Sequence, residues 1–288
     1  MNPKYPLYVV SYKRSHKCLT HEALERANVP HYIVTEEDDY DNYVEAFGEE
    51  NILVTPDKYH KEYDACDNLG DTKSKGPGVA RNFVWDHSIE NGFPWHWVMD
   101  DNIRDFYRLN NNRYYRCGDG TIFLCMEDFC ERYENVSMAG PDYQFFTPQK
   151  AKLPPFIKNT RIYSCNLIRN DVPLRWRGRY NEDTDLSLCM LKSGWCTIQF
   201  YAFLQDKVAT QTITGGNTAN FYSGEGTLPK SRMQVKLHPD VSRLVWKFNR
   251  WHHHVDYGKF KKNKLIRKED VEIKDETNNY GMELKVRK

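Results

Sequence analysis

Trp95-His96-Trp97-Val98-Met99-Asp100-Asp101-Asn102 joins a short apolar run to three consecutive oxygen-bearing side chains. A run of this length, rich in large apolar residues and stopped by turn formers, reads as a buried strand that delivers its polar end to solvent. Similar apolar runs lie upstream at 7–10, 31–35 and 51–55, separated by helical residues at 22–27 and 78–90. Strands alternating with helices predict an α/β fold with an open, mixed, mostly parallel sheet flanked by helices. In such sheets ligands bind beyond the carboxyl ends of the strands. The residues just past each run are all polar: Ser11-Tyr12-Lys13-Arg14, Glu36 to Asp39, Pro56-Asp57 and Asp100-Asp101-Asn102.

Downstream, 135–139, 162–168 and 196–203 read as further strands, and 183–191 as a helix carrying Leu186, Leu188, Met190 and Leu191. The stretch at 210–229, rich in Gly, Thr and Asn, is too long for an ordinary connection and reads either as a lid or as a plain loop. Val241, Leu244, Val245, Phe248 and Trp251 recur at helical spacing, which predicts a helix over 239–251 running into His252-His253-His254. Beyond Lys259 the mostly charged chain is expected to be peripheral. The expected division is a catalytic domain at 1–228 and a basic, helical extension at 229–288 packed on it.

A chain of 288 residues with 40% hydrophobic and 14% aromatic content has ample material for a core and does not resemble a disordered sequence. No window approaches the 18 apolar residues that a membrane span needs, and the N-terminus lacks a signal-peptide core, so the expected location is the cytoplasm, that of a host cell if the protein is viral. Its eight cysteines include no Cys-x-x-Cys pair, which argues against a zinc ribbon or redox motif and for reduced core residues. The net charge of +1 conceals an asymmetry: 36–50 is acidic, whereas 229–268 holds 12 Lys or Arg against Asp240 and Asp256. Such a region suits either a polyanionic partner or a solubilising face.

Four groups of residues are candidates for chemistry. Asp100 and Asn102 point the same way if extended geometry persists, and with Asp101 as a further candidate they form an oxygen set suited to Mg or Mn. The competing reading is a turn that caps a helix over 103–109. Asp183 or Glu182, just before an apolar helical run, is a candidate general base, or else Asp183 or Thr184 caps that helix. Gly76-Pro77-Gly78 opens a helix that carries Arg81 and Asn82 toward a phosphate or nucleoside pocket. His252 or His254 is a candidate to complete a metal shell or touch a diphosphate.

The order of these motifs resembles the GT-A family of nucleotide-sugar glycosyltransferases over about residues 5 to 205. Tyr8-Val9-Val10-Ser11-Tyr12-Lys13-Arg14 is similar to its nucleotide-binding first strand, Gly78-x-Ala80-Arg81-Asn82 to the helix before the metal motif, Met99-Asp100-Asp101-Asn102 to the Asp-x-Asp motif, and Asn181-Glu182-Asp183 to the late base motif. Asn102 departs from the last Asp of that pattern. More narrowly, Met-Asp-Asp-Asn, Thr214-Gly215-Gly216-Asn217 and the basic C-terminus resemble the phage DNA-hypermodification glycosyltransferases associated with TET/JBP-type hydroxylases. That resemblance implies a UDP-sugar donor contacted by Ser11, Tyr12, Arg14, Glu36, Arg81 and Asn82, and DNA bearing 5-hydroxymethylcytosine or 5-hydroxycytosine as acceptor. Trp246, Phe248, Trp251, Tyr257 and Phe260, interleaved with the basic residues, suit either backbone-tracking and base stacking or a core. Rival readings are transfer to a protein or other acceptor, metal-dependent phosphoryl or nucleotidyl transfer, and a non-catalytic nucleic-acid-binding module.

Overall fold

The computed structural model describes residues 1–67, 75–208 and 227–271. Its strands are β1 (Leu7–Val10), β2 (Tyr32–Thr35), β3 (Ile52–Val54), β4 (Trp95–Asp100), β5 (Ile103–Asn110), β6 (Arg113–Arg116), β7 (Val136–Tyr143), β8 (Phe156–Lys158), β9 (Cys165–Arg169), β10 (Cys196–Lys207), β11 (Ser242–Lys247) and β12 (Arg250–Val255). The helices are α1 (Leu19–Arg26), α2 (Tyr40–Phe47), α3 (Asp57–Glu62), α4 (Gly78–Glu90), α5 (Thr121–Cys130), α6 (Glu182–Lys192) and α7 (Leu228–Leu237). Ten strands form one sheet in the order β3-β2-β1-β4-β9-β7-β10-β5-β6, with β8 pairing with β10. β3, β2, β1 and β4 are mutually parallel, β9 runs against β4 and β7, and β10 is parallel to β7.

The apolar strands are continuous because the sheet is covered on both faces. Leu7, Val9, Trp97 and Met99 pack with Leu24 of α1 and with Phe123 and Met126 of α5 on one side. Tyr8 and Val98 pack with Val84 and Trp85 of α4 and with Leu186 and Met190 of α6 on the other. The chain leaves β1 outward through β2 and β3, then returns to the far side of β1 as β4. That reversal opens a crevice at the carboxyl ends of β1 and β4, where Ser11 and Asp100 emerge.

Two expected helices are strands. Residues 103–109 form β5, because β10 extends to Lys207 and offers Phe203–Lys207 as an antiparallel edge that buries Ile103 and Phe106. Asp100, Asp101 and Asn102 therefore cap no helix. Residues 239–251 contain β11 and the start of β12, a hairpin in which Trp246 faces Trp251 directly. A two-residue turn, Phe248–Asn249, replaces the expected helical step; cross-strand aromatic pairing and β-branched residues outweigh the 3.6-residue spacing. The segment past Lys259 is also docked rather than peripheral up to Arg267. Phe260 packs with Leu188 and Leu191, and the Asn263 amide donates to the carbonyls of Leu191 at 2.8 Å and Trp195 at 2.9 Å. The 210–229 segment and Thr214-Gly215-Gly216-Asn217 lie outside the described residues, except for the start of α7. All eight cysteines are free, and no helix among the described residues is long and apolar enough to cross a membrane.

Beneath β4 one carboxyl ties the N-terminus to the core. Glu127 of α5 accepts from the Trp97 indole at 2.7 Å and from the Lys4 backbone N–H at 2.8 Å, fully buried. Burial raises it from 4.5 to about 7, against the lowering effect of those donors. Between these values the folded chain keeps a proton that the unfolded chain has lost, so the contribution is present below pH 4.5 and lost as pH rises through 7. Glu127→Gln is expected to flatten the pH dependence of stability over this window by about 3 kcal/mol relative to wild type, read by urea denaturation at a series of pH values. An unchanged slope would mean that Glu127 is ionised in the fold throughout.

Candidate active site

Arg81 sits in the first turn of α4, a position that the helix dipole makes unfavourable for a cation, so its presence there answers to something beyond the helix. Gly78 allows the placement: a Cβ at this position would meet the Tyr63 hydroxyl at 2.0 Å, while that hydroxyl donates to the Gly178 carbonyl. The helix start is thereby pressed against the loop leading to α6. Arg81 is 1% exposed. Its Nη2 donates to Asp100 Oδ1 at 2.7 Å, and its Nη1 donates to Asp183 Oδ1 at 2.6 Å and to Glu182 Oε1 at 3.2 Å. The guanidinium lies 4.6 Å over the Trp176 ring. Asn82, at the next position, fixes the Trp176 backbone, donating to its carbonyl and accepting from its backbone N–H, each at 2.9 Å.

Lys207, the last residue of β10, donates to the second carboxylate oxygen of Asp100 and to Ser164 Oγ. Ser164 Oγ in turn pairs with the Tyr143 hydroxyl at 2.8 Å. Burial alone would raise the Asp100 carboxyl, but Lys207 and Arg81 outweigh it and hold it well below the ordinary carboxylate range. Asp183 shares Arg81 but takes no hydrogen bond from Lys207, and burial, with Glu182 and Asp100, outweighs the pull of both cations and raises it to about 7. Two acids bound to one guanidinium thus differ in proton affinity: Asp100 is a fixed anion and Asp183 is poised to take up a proton.

Asp101 turns away into a second ion pair. Arg14 Nη1 reaches its Oδ1 at 2.5 Å and Ser11 Oγ donates to its Oδ2 at 2.9 Å. Tyr43 closes this group with its hydroxyl 2.6 Å from Ser11 Oγ. Thr20 staples the turn from α1: its hydroxyl donates to the Asp100 carbonyl at 2.6 Å and accepts from the Ile103 N–H at 2.9 Å. Tyr12 donates to Asp38 at 2.8 Å near the surface, and Glu36 lies 2.6 Å from His60 Nε2.

The three-residue turn offers oxygen donors of the kind that Mg or Mn takes. Asn102 Oδ1 is buried without a hydrogen-bond partner, an orphaned acceptor that a divalent cation would satisfy. Asp100 has Arg81 on one oxygen and Lys207 on the other, and its side chain is 23% exposed; Asp101 likewise has both oxygens engaged, and its side chain is only 6% exposed. The fit is therefore to Asp100 and Asn102. His252 and His254 project from β12 rather than from a helix end, and the Arg250 guanidinium donates to His252 at 3.1 Å. It is His253, on the opposite face of the strand, that is turned toward the body, where burial, Lys230 and Arg161 lower it to about 4. The groups of acids, His and Cys compact enough to share an ion among the described residues are His21-Glu25-His31 and Asp185-Cys189-His238, both apart from the Asp100 cluster.

Sequence reasoning missed Lys207, Ser164, Tyr143 and Thr20. Lys207 is remote in sequence from Asp100 and arrives through a strand that runs four residues past its expected end. A family model described as TET-Associated Glycosyltransferase matches residues 5–216, a span that reaches from before β1 to beyond Lys207. No curated protein matches the chain.

Removing Arg81 leaves three carboxylates facing one another without their shared cation. Arg81→Met is expected to cost about 3–5 kcal/mol of stability in chemical denaturation at pH 8, and less at pH 5, where Asp183 is protonated. A variant as stable as wild type at pH 8 would show that the guanidinium does not hold these acids together.

Proposed function

The chain belongs to the TET-associated glycosyltransferase family, and from that premise we propose that it transfers a sugar from a UDP-sugar to 5-hydroxymethylcytosine or 5-hydroxycytosine in phage DNA. Family membership makes it a glycosyltransferase that uses a nucleotide-sugar donor. The observation that carries the catalytic reading is the Arg81 junction, which holds an anionic Asp100 and a proton-accepting Asp183 side by side at the crevice between β1 and β4.

In this reading Asp183 takes the proton of the acceptor hydroxyl as its oxygen attacks the anomeric carbon. The bond from that carbon to the diphosphate oxygen breaks, and its electron pair leaves with UDP, inverting the anomeric configuration. Arg81 holds the Asp183 carboxylate in place and balances its charge, while Glu182 on the same guanidinium nitrogen keeps its proton affinity up. Ser11, Arg14 and Asp101 shape the wall beside β1 that receives the nucleoside. Asp100 and Asn102 would hold Mg or Mn, which would supply charge to offset that developing on the diphosphate. Lys207 contributes a second positive charge at the same place. The DNA acceptor is supported by the basic residues of 229–268 and by the exposed Trp246, Phe248 and Trp251.

The protein incubated with Mn, a panel of UDP-sugars and DNA carrying unmodified, 5-hydroxymethylated or 5-hydroxylated cytosine is expected to add a sugar mass to one modified nucleoside, seen by mass spectrometry after digestion. Asp183→Asn should lower kcat by about 10²-fold or more with KM for the donor little changed, and Asp100→Ala should abolish transfer. UDP release without any gain on DNA would retain the transferase and remove the DNA acceptor.

The Lys207 ammonium competes with a divalent cation for Asp100. Lys207→Met is expected to bind Mn at least about tenfold tighter than wild type in an electron paramagnetic resonance titration, since a like charge is removed from beside the ion. Equal or weaker binding would place the ion away from Asp100.

A further inference from the structure

The β11–β12 hairpin is built in two unlike halves. At its root Val241 and Val255 pack with Phe260 onto Leu188 and Leu191 of α6. At its tip the side chains are open among the described residues: Phe248 is 86%, Trp246 55% and Trp251 38% exposed. The turn residues Phe248 and Asn249 have φ of 51° and 56°. Two-residue turns with positive φ at both positions favour Asn and Gly, because a bulky side chain crowds the backbone there. Phe248 is thus unfavourable in conformation and in solvation at once, with only an edge contact to the His252 ring at 6.0 Å. Nothing that the described fold gains from this residue accounts for its identity, which points to a partner outside the chain.

The chemistry around the tip narrows that partner. From Ser242 to Val255 there is no acidic residue, while Arg243, Lys247 and Arg250 are all exposed. Lys247 and Arg250 stand opposite each other immediately below the turn, and Trp246 and Trp251 stack edge to face one step further down, with centroids 5.2 Å apart. Lys247 and Arg250 point to the face opposite Trp246 and Trp251, and with Phe248 at the turn between them the tip offers cations to phosphates and a ring to bases, while a two-stranded ribbon has the width of a duplex groove. The hairpin adjoins the acid cluster through α7: the Asn181 amide donates to the Lys230 carbonyl at 2.9 Å, and Ser231 Oγ donates to the carbonyl of Trp251, near the turn, at 3.5 Å. The hairpin tip and the acid cluster are thus tied to the same short helix. We propose that the hairpin over residues 242–255 is a ribbon that grips duplex DNA, and that Phe248 is a wedge which enters the base stack and frees the acceptor base for the site. A base worked on at a buried centre must leave its stack, and an inserted apolar side chain is a known physical means of starting that step. This inference rests on the DNA-acceptor reading above.

The test uses the full chain, with matched duplex and single-stranded DNA carrying the modified cytosine beside 2-aminopurine. Phe248→Asn suits the turn better, so it should fold at least as stably as wild type. The variant should lose at least tenfold more of its transfer rate on duplex than on single strands, and should lose the rise in 2-aminopurine fluorescence that wild type causes. Lys247→Ala with Arg250→Ala should weaken duplex binding and reduce its salt dependence. Equal rates on both DNA forms, an equal loss on both, or tip-dependent binding to anionic vesicles in place of duplex would overturn the wedge. Wild-type protein that binds and unstacks the duplex but transfers nothing to it would keep the ribbon and remove the acceptor reading; no binding and no unstacking would remove both.

Discussion

The Arg81 guanidinium is the interaction on which the site depends. Asp100 comes from the end of β4, and Glu182 and Asp183 from the first turn of α6, so the three acids belong to separate parts of the chain. Brought together in a buried place they would repel, and each would hold its proton. One planar cation with two donating nitrogens lets them coexist. It does so unequally, because Asp100 also has Lys207 and Asp183 does not. From that inequality follows the division of labour between a permanent anion and a proton acceptor.

Arg81 is itself held by the fold. Gly78 lets α4 approach Tyr63, Trp176 lies under the guanidinium, and Asn82 locks Trp176 through two hydrogen bonds. The sheet supplies the other side. Its reversal between β1 and β4 sets Ser11 and Arg14 beside Asp101, and this separate ion pair keeps Asp101 from joining the Arg81 group. Adjacent residues in the sequence are thereby sent to different tasks: Asp100 to the cations, Asp101 to the wall, and Asn102 to a buried position with a free acceptor.

The C-terminal region continues the same body and adds a different kind of surface. Its apolar root packs on α6, the helix that begins with Glu182 and Asp183, so the hairpin and the acid cluster share one support. Electrostatics and exposed aromatic rings at the tip complement a polyanion with flat bases, in keeping with the DNA acceptor proposed above.

The strand–helix alternation, the buried character of β4 and the polar residues at the strand ends were legible in the sequence because each depends on local pattern: continuous apolar runs bounded by turn formers. The helix 78–90 was readable to the residue from its Gly-Pro-Gly start. The periodicity of Val241, Leu244, Val245, Phe248 and Trp251 misled, since a spacing that fits a helix also allows cross-strand pairing once a two-residue turn intervenes, and only the partner strand decides between them. The 103–109 segment became a strand for the same reason: β10 offered an edge. Within the site, sequence named Asp100, Arg81, Glu182 and Asp183 by residue type and position, but not that one guanidinium joins them. Lys207 bore no local mark at all. Its ammonium meets Asp100 through a contact spanning 107 residues of chain, and such contacts are set by sheet order and strand length, which are properties of the folded whole.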